Sequence, residues 1–274
     1  SYTLGARAAQ IRDGLRALPA RATPADMLRI QLDDRALFLG RWQQLLLDTL
    51  DATAVAGNAD RAALRRVVAG WEGRAAPDSV GYRLVREFRS HAAAATWAML
   101  TGAAGAHDAS ALPPLQFEGP LWQIVSERPL HLLALPYASW RAFLLAQADA
   151  VIADARTECG DLAHCTWGSR RAVEVRHPLS RVLGPFAALL DMPALELPGD
   201  HDMPRVQDGA FGASERFAVS PGREQEGYSQ LPGGQSGHPL SPYYRAGFGD
   251  WATGRPEPFL PGPARHTLVL APVT

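Results

Sequence analysis

Three short stretches carry side chains whose types and spacing could do chemistry. Gly199-Asp200-His201-Asp202 sets two carboxylates around one imidazole, an arrangement able to tune a pKa or orient a general base. Neighbouring side chains on an extended segment point to opposite faces, so at most one or two of these three residues can address a single site, and a solvated turn is the competing reading. Gly234-Gln235-Ser236-Gly237 offers a serine between glycines, and eight His residues are available as bases. The full Gly-x-Ser-x-Gly elbow is not there, however, and a glycine-rich turn stiffened by the prolines that follow explains the same residues. A chymotrypsin-like triad also fits poorly with a chain that opens on ~150 mainly helical residues. Cys159 and Cys165, in Cys-Gly-Asp-Leu-Ala-His-Cys, could close a small loop in an oxidising compartment or remain two thiols in a reducing one. Zinc would need two further ligands, of which His164 supplies one at most. His177-Pro178, Trp122 and Trp140 read as packing residues.

The elements that must hold these residues follow from composition and periodicity. The chain has 274 residues, with 27 basic against 28 acidic side chains and a pI near 6.7, which removes the electrostatic case for nucleic acid or an anionic membrane as partner. Every basic residue is Arg, a bias that fits a GC-rich coding sequence and carries no function. No run of ~18 apolar residues is long enough to span a bilayer, and the opening residues lack the charged-then-apolar pattern of a secretory signal. Residues 1–160 hold 8 of the 22 prolines and are predicted to be mainly helical; 161–274 hold the other 14 and read as short strands among loops. Helices are expected over 6–18, 23–50, 60–71, 81–100, 120–127 and 137–156. Thr23 should cap the second with Pro24 in its first turn, Asp60 the third and Ser79 the fourth. Strands are expected at 172–176, 215–219, 227–231 and 267–270. Helix and strand signals do not interleave, so the fold class is α+β rather than an alternating βαβ sheet, and no dinucleotide or P-loop fingerprint occurs.

Four segments in this order resemble the carboxy-terminal half of the β subunit of the penicillin amidase family, which includes penicillin, cephalosporin and acyl-homoserine lactone acylases. They are Thr23-Pro24-Ala25-Asp26-Met27-Leu28-Arg29-Ile30-Gln31-Leu32-Asp33; Leu121-Trp122-Gln123-Ile124-Val125-Ser126-Glu127-Arg128-Pro129 with Tyr137-Ala138-Ser139-Trp140; Thr166-Trp167-Gly168 with Arg176-His177-Pro178-Leu179; and Phe211-Gly212-Ala213-Ser214-Glu215-Arg216 with 231–244, whose Leu-Pro-Gly-Gly-Gln-Ser-Gly-His-Pro is the most specific of the four. The resemblance implies an N-terminal-nucleophile hydrolase with an αββα sandwich, made as a precursor, cut into chains, and cleaving amides through the Ser at the start of the β subunit. This chain would supply the helical region 1–160 and the strand and loop region 161–274 of one domain shared with a companion α chain and an N-terminal β chain.

Ser1 is not expected to be the nucleophile. The family opens its β subunit with Ser followed by Asn or Gly and a Trp-containing strand, whereas Ser1 leads into a helix whose Ala6-Arg7-Ala8-Ala9-Gln10-Ile11 is similar to an internal family helix, making Ser1 a second cut site. Asn58, the chain's one Asn, sits in a helix-capping context and is not the oxyanion residue. What the resemblance carries over is Asp202: 199–203 looks like the family's "GDgDT" segment, whose last acid lies near the nucleophile's amino end and a first-strand His. Met203 departs from the usual Thr, and His201 stands where a small residue is common. The resemblance further implies deacylation of acyl-homoserine lactones, as in quorum quenching, with β-lactam side-chain removal as the alternative reaction and a non-catalytic scaffold subunit as a third reading. It also implies a periplasmic or secreted location, which favours the Cys159–Cys165 disulfide. No cofactor is expected; calcium is structural in some relatives, with no ligand cluster visible here.

Overall fold

The computed structural model describes residues 4–103, 113–114, 116–209 and 211–272. The helices are α1 Ala6–Arg16, α2 Pro24–Gln31, α3 Gly40–Thr49, α4 Ala52–Val55, α5 Ala59–Ala69, α6 Val80–Ala103, α7 Glu118–Glu127 and α8 Trp140–Cys159, followed by the short α9 Trp167–Arg170, α10 Ala187–Leu190 and α11 Phe248–Thr253. The strands are β1 Gln207–Asp208, β2 Phe211–Gly212, β3 Arg216–Ala218 and β4 Tyr228–Gln230. Helices predominate and the sheet is small, an α+β arrangement. Among the described residues the strands form two separate antiparallel ribbons, β1 with β2 and β3 with β4, the latter in the register Arg216↔Gln230 and Ala218↔Tyr228.

Local chemistry sets the helix starts. Thr23 and Asp26 form a reciprocal capping box at α2, with Pro24 in the first turn, where its missing N–H costs nothing. Ser79 Oγ accepts from Tyr82 N at 3.1 Å to start α6, and Ser139 Oγ accepts from Ala142 N at 3.1 Å to start α8. α5 is capped by Asn58 rather than Asp60: Arg61 N donates to Asn58 Oδ1 at 3.0 Å, and Asp60 lies in the first turn, where a negative charge suits the helix dipole.

The helix expected over 23–50 is broken into two. Between α2 and α3 the backbone turns outward to bond elsewhere: Ala36 N donates to Gly73 O at 2.7 Å, Ala75 N to Asp34 O at 3.0 Å, and Arg205 N to Asp33 O at 3.0 Å. Helix periodicity alone hides this break, because the competing acceptors and donors lie 37 or more positions away. Two expected strands also differ. Segment 172–176 makes a single bridge, Val173 to Leu195, and 267–270 forms no strand; Leu268, Val269 and Leu270 have no described strand beside them and are exposed. The strands expected at 215–219 and 227–231 appear as β3 and β4.

α3, α5, α6 and α8 pack against one another around Trp42, Leu46, Leu64, Leu84, Phe88, Phe143 and Val151, all wholly buried. Each such side chain contributes roughly 1.5–3 kcal/mol by leaving water. Trp42 meets Phe88 and Trp122 edge-on, with ring centroids 6.2 and 5.4 Å away. A second, smaller cluster joins Val173, Leu197, Phe248, Trp251 and Ala252. Cys159, at the end of α8, and Cys165 are joined as a disulfide, and just beyond it Trp167 N donates to Ser79 O and Gly168 N to Pro77 O, seating the chain at the start of α6.

Candidate functional site

The site grows from one face of α6. Tyr82, Arg86 and Arg89 follow one another at spacings of four and three, so their side chains leave the same side of the helix. Opposite them runs 199–203, placed by two backbone features. Gly199 has φ +115°, and a Cβ there would lie 2.1 Å from Arg205 O, so only glycine fits. Gly199 N donates to Ala75 O at 2.9 Å and Gly199 O accepts from Trp167 Nε1 at 3.0 Å, which ties the segment to the helical core.

Asp200 is the buried centre of this face. Its carboxylate accepts from Tyr82 Oη at 2.5 Å, from Arg86 Nε and from His201 N at 2.7 Å. The Tyr82 ring meets Trp167 edge-on at 4.9 Å, and the Arg86 guanidinium lies 5.0 Å from the Trp167 centroid. Burial and the Asp200 charge push the Tyr82 phenol far above its ordinary pKa, so it keeps its proton and donates the hydrogen bond to Asp200. Burial opposes the Arg86 charge, but Asp200 outweighs it and the guanidinium stays protonated. Arg89 is held in the same way by buried Glu118, whose other oxygen accepts from Arg41 and from Trp42 Nε1 at 2.9 Å.

Asp202 stands beside this saturated cluster without sharing its bonds. With Arg86, Arg89, Tyr82, Asp200, Phe38 and Leu39 it lines a cavity of about 30 Å³, room for a single water-sized group. Among the described residues its carboxylate accepts no hydrogen bond. Burial and then the Asp200 charge raise its pKa, against the attraction of Arg89, His201 and Arg86. Asp202 is therefore a half-buried carboxylate with a nearby positive field and unused acceptor capacity, able to take a hydrogen bond from a group delivered from outside this chain.

His201 faces elsewhere. Its Nε2 lies 2.5 Å from Asp208 Oδ2, while Arg171 donates to Asp208 Oδ1 at 2.5 Å. Burial opposes the Asp208 charge, but the His201 hydrogen bond and Arg171 outweigh it and hold that carboxyl below its usual range. Asp200 and Asp202 thus line one cavity while the imidazole between them, in a turn at 201–202, faces Asp208 instead.

The remaining candidates are structural. Ser236 Oγ accepts from His238 N at 3.2 Å and His238 Nδ1 from Leu240 N at 3.1 Å, so the glycine-rich stretch is a chain of tight turns, and among the described residues no His ring nitrogen bonds to Ser236 Oγ. A Cβ at Gly234 would lie 1.6 Å from Tyr243 O, which accounts for its glycine. Asn58 caps α5, His177 Nδ1 accepts from Leu179 N, Trp140 Nε1 donates to Pro129 O, and Trp122 packs on Trp42. Ser1 lies outside the described residues. Among the described residues no cluster of three or more His, Cys, Asp or Glu could hold a metal ion, and no helix is long and apolar enough to cross a membrane. Tyr82 and Arg86 are the residues that sequence reasoning missed; Asp200 was read as one of two carboxylates around His201, and its partners prove to be Tyr82 and Arg86. The readable signal was the Tyr-x3-Arg-x2-Arg spacing on one helix face; what it faced was not readable.

The penicillin amidase family model matches residues 1–265. The chain is 27% identical over 262 residues to the penicillin acylase 2 proenzyme of Pseudomonas sp. (strain SE83), an alignment covering 90% of this chain and 32% of that proenzyme. The chain thus spans about a third of the length of the curated relative it matches.

Proposed function

Because this chain belongs to the penicillin amidase family, we propose that it is the carboxy-terminal part of the β subunit of a multi-chain amide hydrolase, working with an N-terminal β chain and an α chain cut from the same precursor. The observation that carries this reading is that nearly the whole chain aligns with about a third of a proenzyme. The missing two-thirds would supply the nucleophile, the oxyanion donors and the strands that turn two isolated ribbons into an αββα sandwich.

In this reading the N-terminal Ser Oγ of a companion chain attacks the amide carbonyl. Its own α-amino group takes the hydroxyl proton and passes it to the leaving amine, and water then hydrolyses the acyl ester. Asp202 holds an imidazole of the companion chain beside that amine, accepting its N–H through the unused acceptor capacity described above. The Asp200–Arg86 pair keeps the segment bearing Asp202 against α6. No metal or cofactor takes part, and the disulfide suits an exported, periplasmic enzyme.

The substrate we favour is an acyl-homoserine lactone, on the likeness of the 121–124 and 137–140 segments to that branch. The name of the Pseudomonas relative favours a second reading, removal of the acyl side chain from a β-lactam. Both reactions cut a secondary amide between an acyl chain and a small polar ring, and an apolar acyl pocket separates substrates by only ~1–3 kcal/mol per methylene. Intact-mass measurement of the enzyme purified from its full precursor, with acyl-release assays on both substrates, tests the proposal. A companion polypeptide beginning with Ser-Asn or Ser-Gly is expected to carry the acyl group. Activity in the isolated chain, or an acyl group on a residue of this chain, would overturn it; a complex that binds neither substrate would leave a scaffold subunit.

A further inference from the structure

An orienting acceptor at Asp202 must carry its charge, and a half-buried carboxylate keeps its charge more readily beside a positive neighbour. Two guanidiniums line its cavity, Arg86 and Arg89, three positions apart on α6. They do not offer the same field. Arg86 is spent on Asp200, giving Nε to one carboxylate oxygen and reaching the other with Nη2 at 3.5 Å, so this ion pair carries no net charge. Arg89 gives Nε and Nη2 to one oxygen of Glu118, at 2.9 and 2.7 Å. The other Glu118 oxygen is taken by Arg41 and by Trp42 Nε1. Glu118 thus answers two guanidiniums with one charge, and the group Arg41–Glu118–Arg89 carries one positive charge in excess.

That excess is fixed beside Asp202. Glu118, the first residue of α7, is 2% exposed and held by four donors. The Phe38 ring, which also lines the cavity, lies 5.3 Å from the Arg41 guanidinium and 5.8 Å from that of Arg89. Arg41 also stacks on Trp122, at 4.5 Å, which leaves Arg89 as the member of the group that reaches the cavity. Three guanidiniums, of Arg41, Arg86 and Arg89, then meet three carboxylates, of Glu118, Asp200 and Asp202, and the charges balance only with Asp202 ionised. Of the other groups that face Asp202, Tyr82 is neutral and His201 is turned to Asp208, while 36–39 bring only Ala36, Phe38 and Leu39. Burial drives Asp202 toward its neutral form; Arg89 is the foremost charge against this, with His201 and Arg86 behind it and Asp200 repelling.

We propose that Arg89 is a positioning residue for Asp202: clamped by Glu118, its guanidinium supplies the excess positive charge that keeps the Asp202 carboxylate an acceptor. This inference rests on the role given to Asp202 above. The clamp matters because a guanidinium held through two donors cannot swing away to pair elsewhere.

The test is the pH dependence of kcat/KM for acyl release by the enzyme processed from its full precursor, on whichever of the two substrates above it cleaves. Arg89→Met should move the acidic limb to higher pH, so that kcat/KM falls about tenfold more on the limb than at the plateau. Arg89→Lys keeps the charge and should bring the limb back toward its wild-type place. In the Asp202→Asn background, Arg89→Met should no longer change the shape of the profile, because the group it acts through is gone. A limb that Arg89→Met leaves in place, or an equal loss at every pH, would overturn the proposal and leave Arg89 a packing residue between α6 and α7. Where Arg89→Met yields no folded enzyme, Glu118→Gln decides. It removes a negative charge from the group and should move the limb to lower pH; a limb that stays or rises overturns the proposal. An acidic limb that survives Asp202→Asn sinks the reading of Asp202 itself. One that Asp202→Asn abolishes and Arg89→Met leaves in place sinks this inference alone, so the two failures are distinguishable.

Discussion

The helical half and the strand region treat buried arginine in opposite ways. In the first half, Arg83 pairs with Glu87 and Glu158, Arg86 with Asp200, and Arg41 and Arg89 share Glu118. In the second, Arg205 and Arg216 are more deeply buried than Arg86 or Arg89 and find backbone carbonyls and a ring. Guanidinium chemistry is the same in both, so the difference lies in what each region has within reach. The helices close their own core and bring carboxylates from distant segments to it, whereas the ribbons, two or three residues per strand, present donors that nothing described in this chain answers.

The strongest way to break this comparison is to unbalance the saturated side. Asp200→Ala leaves both Tyr82 Oη and Arg86 buried without their acceptor, and should destabilise the assembled enzyme by about 3–5 kcal/mol, read as a drop in the unfolding midpoint. A change within experimental error would mean that the pairing of the helical half does not stabilise it. Asp202→Asn tests the neighbouring, unshared carboxylate. Activity should fall about 10–100-fold, because the amide oxygen accepts the imidazole N–H more weakly and lacks the carboxylate's charge, while the midpoint holds or rises, because a half-buried carboxylate with a raised pKa is being neutralised. Equal losses of activity and stability would make Asp202 structural.

The pH dependence sharpens the same point. Asp202 has a raised folded-state pKa, so the fold accommodates its neutral form better, and its own contribution to stability improves as pH falls through that value. Activity needs the ionised form and should be lost on the same descent, at a pH above the usual carboxylate range. In the Asn variant this acidic limb should vanish from the pH profile of kcat/KM. On the unsaturated side, Gln207→Met removes a buried amide that bonds nothing among the described residues and should raise the unfolding midpoint, by about 1 kcal/mol of stability. Thr23→Ala, at a cap far from both clusters, should cost a similar ~1 kcal/mol with no change in activity.

Much of the helical half was legible because its signals are local. Thr23-Pro24, Ser79 and the spacing of leucines and tryptophans name their own helix starts and buried faces, and each contact spans three or four positions. The break between α2 and α3 was not legible, since its hydrogen bonds reach Gly73, Ala75 and Arg205. Segment 267–270 misled for the related reason that alternation predicts a strand only where a neighbour pairs with it. At the site, Asp202 was named from motif likeness and Asp200 was not. Their chemistry is identical, and only the turn at Gly199 decides which of the two is buried against Tyr82 and Arg86.

Residue types and spacing alone determined the α+β class, the caps at Thr23 and Ser79, the glycine-rich turns of 231–242 and the membership that the family match establishes. Those features depend on backbone geometry and on interactions within a few residues, which a sequence records directly. Which carboxylate meets which guanidinium was decided by the tertiary structure, because burial makes charge pairing a property of position: the same arginine is indifferent in water and demands a partner once the surrounding chain has removed it.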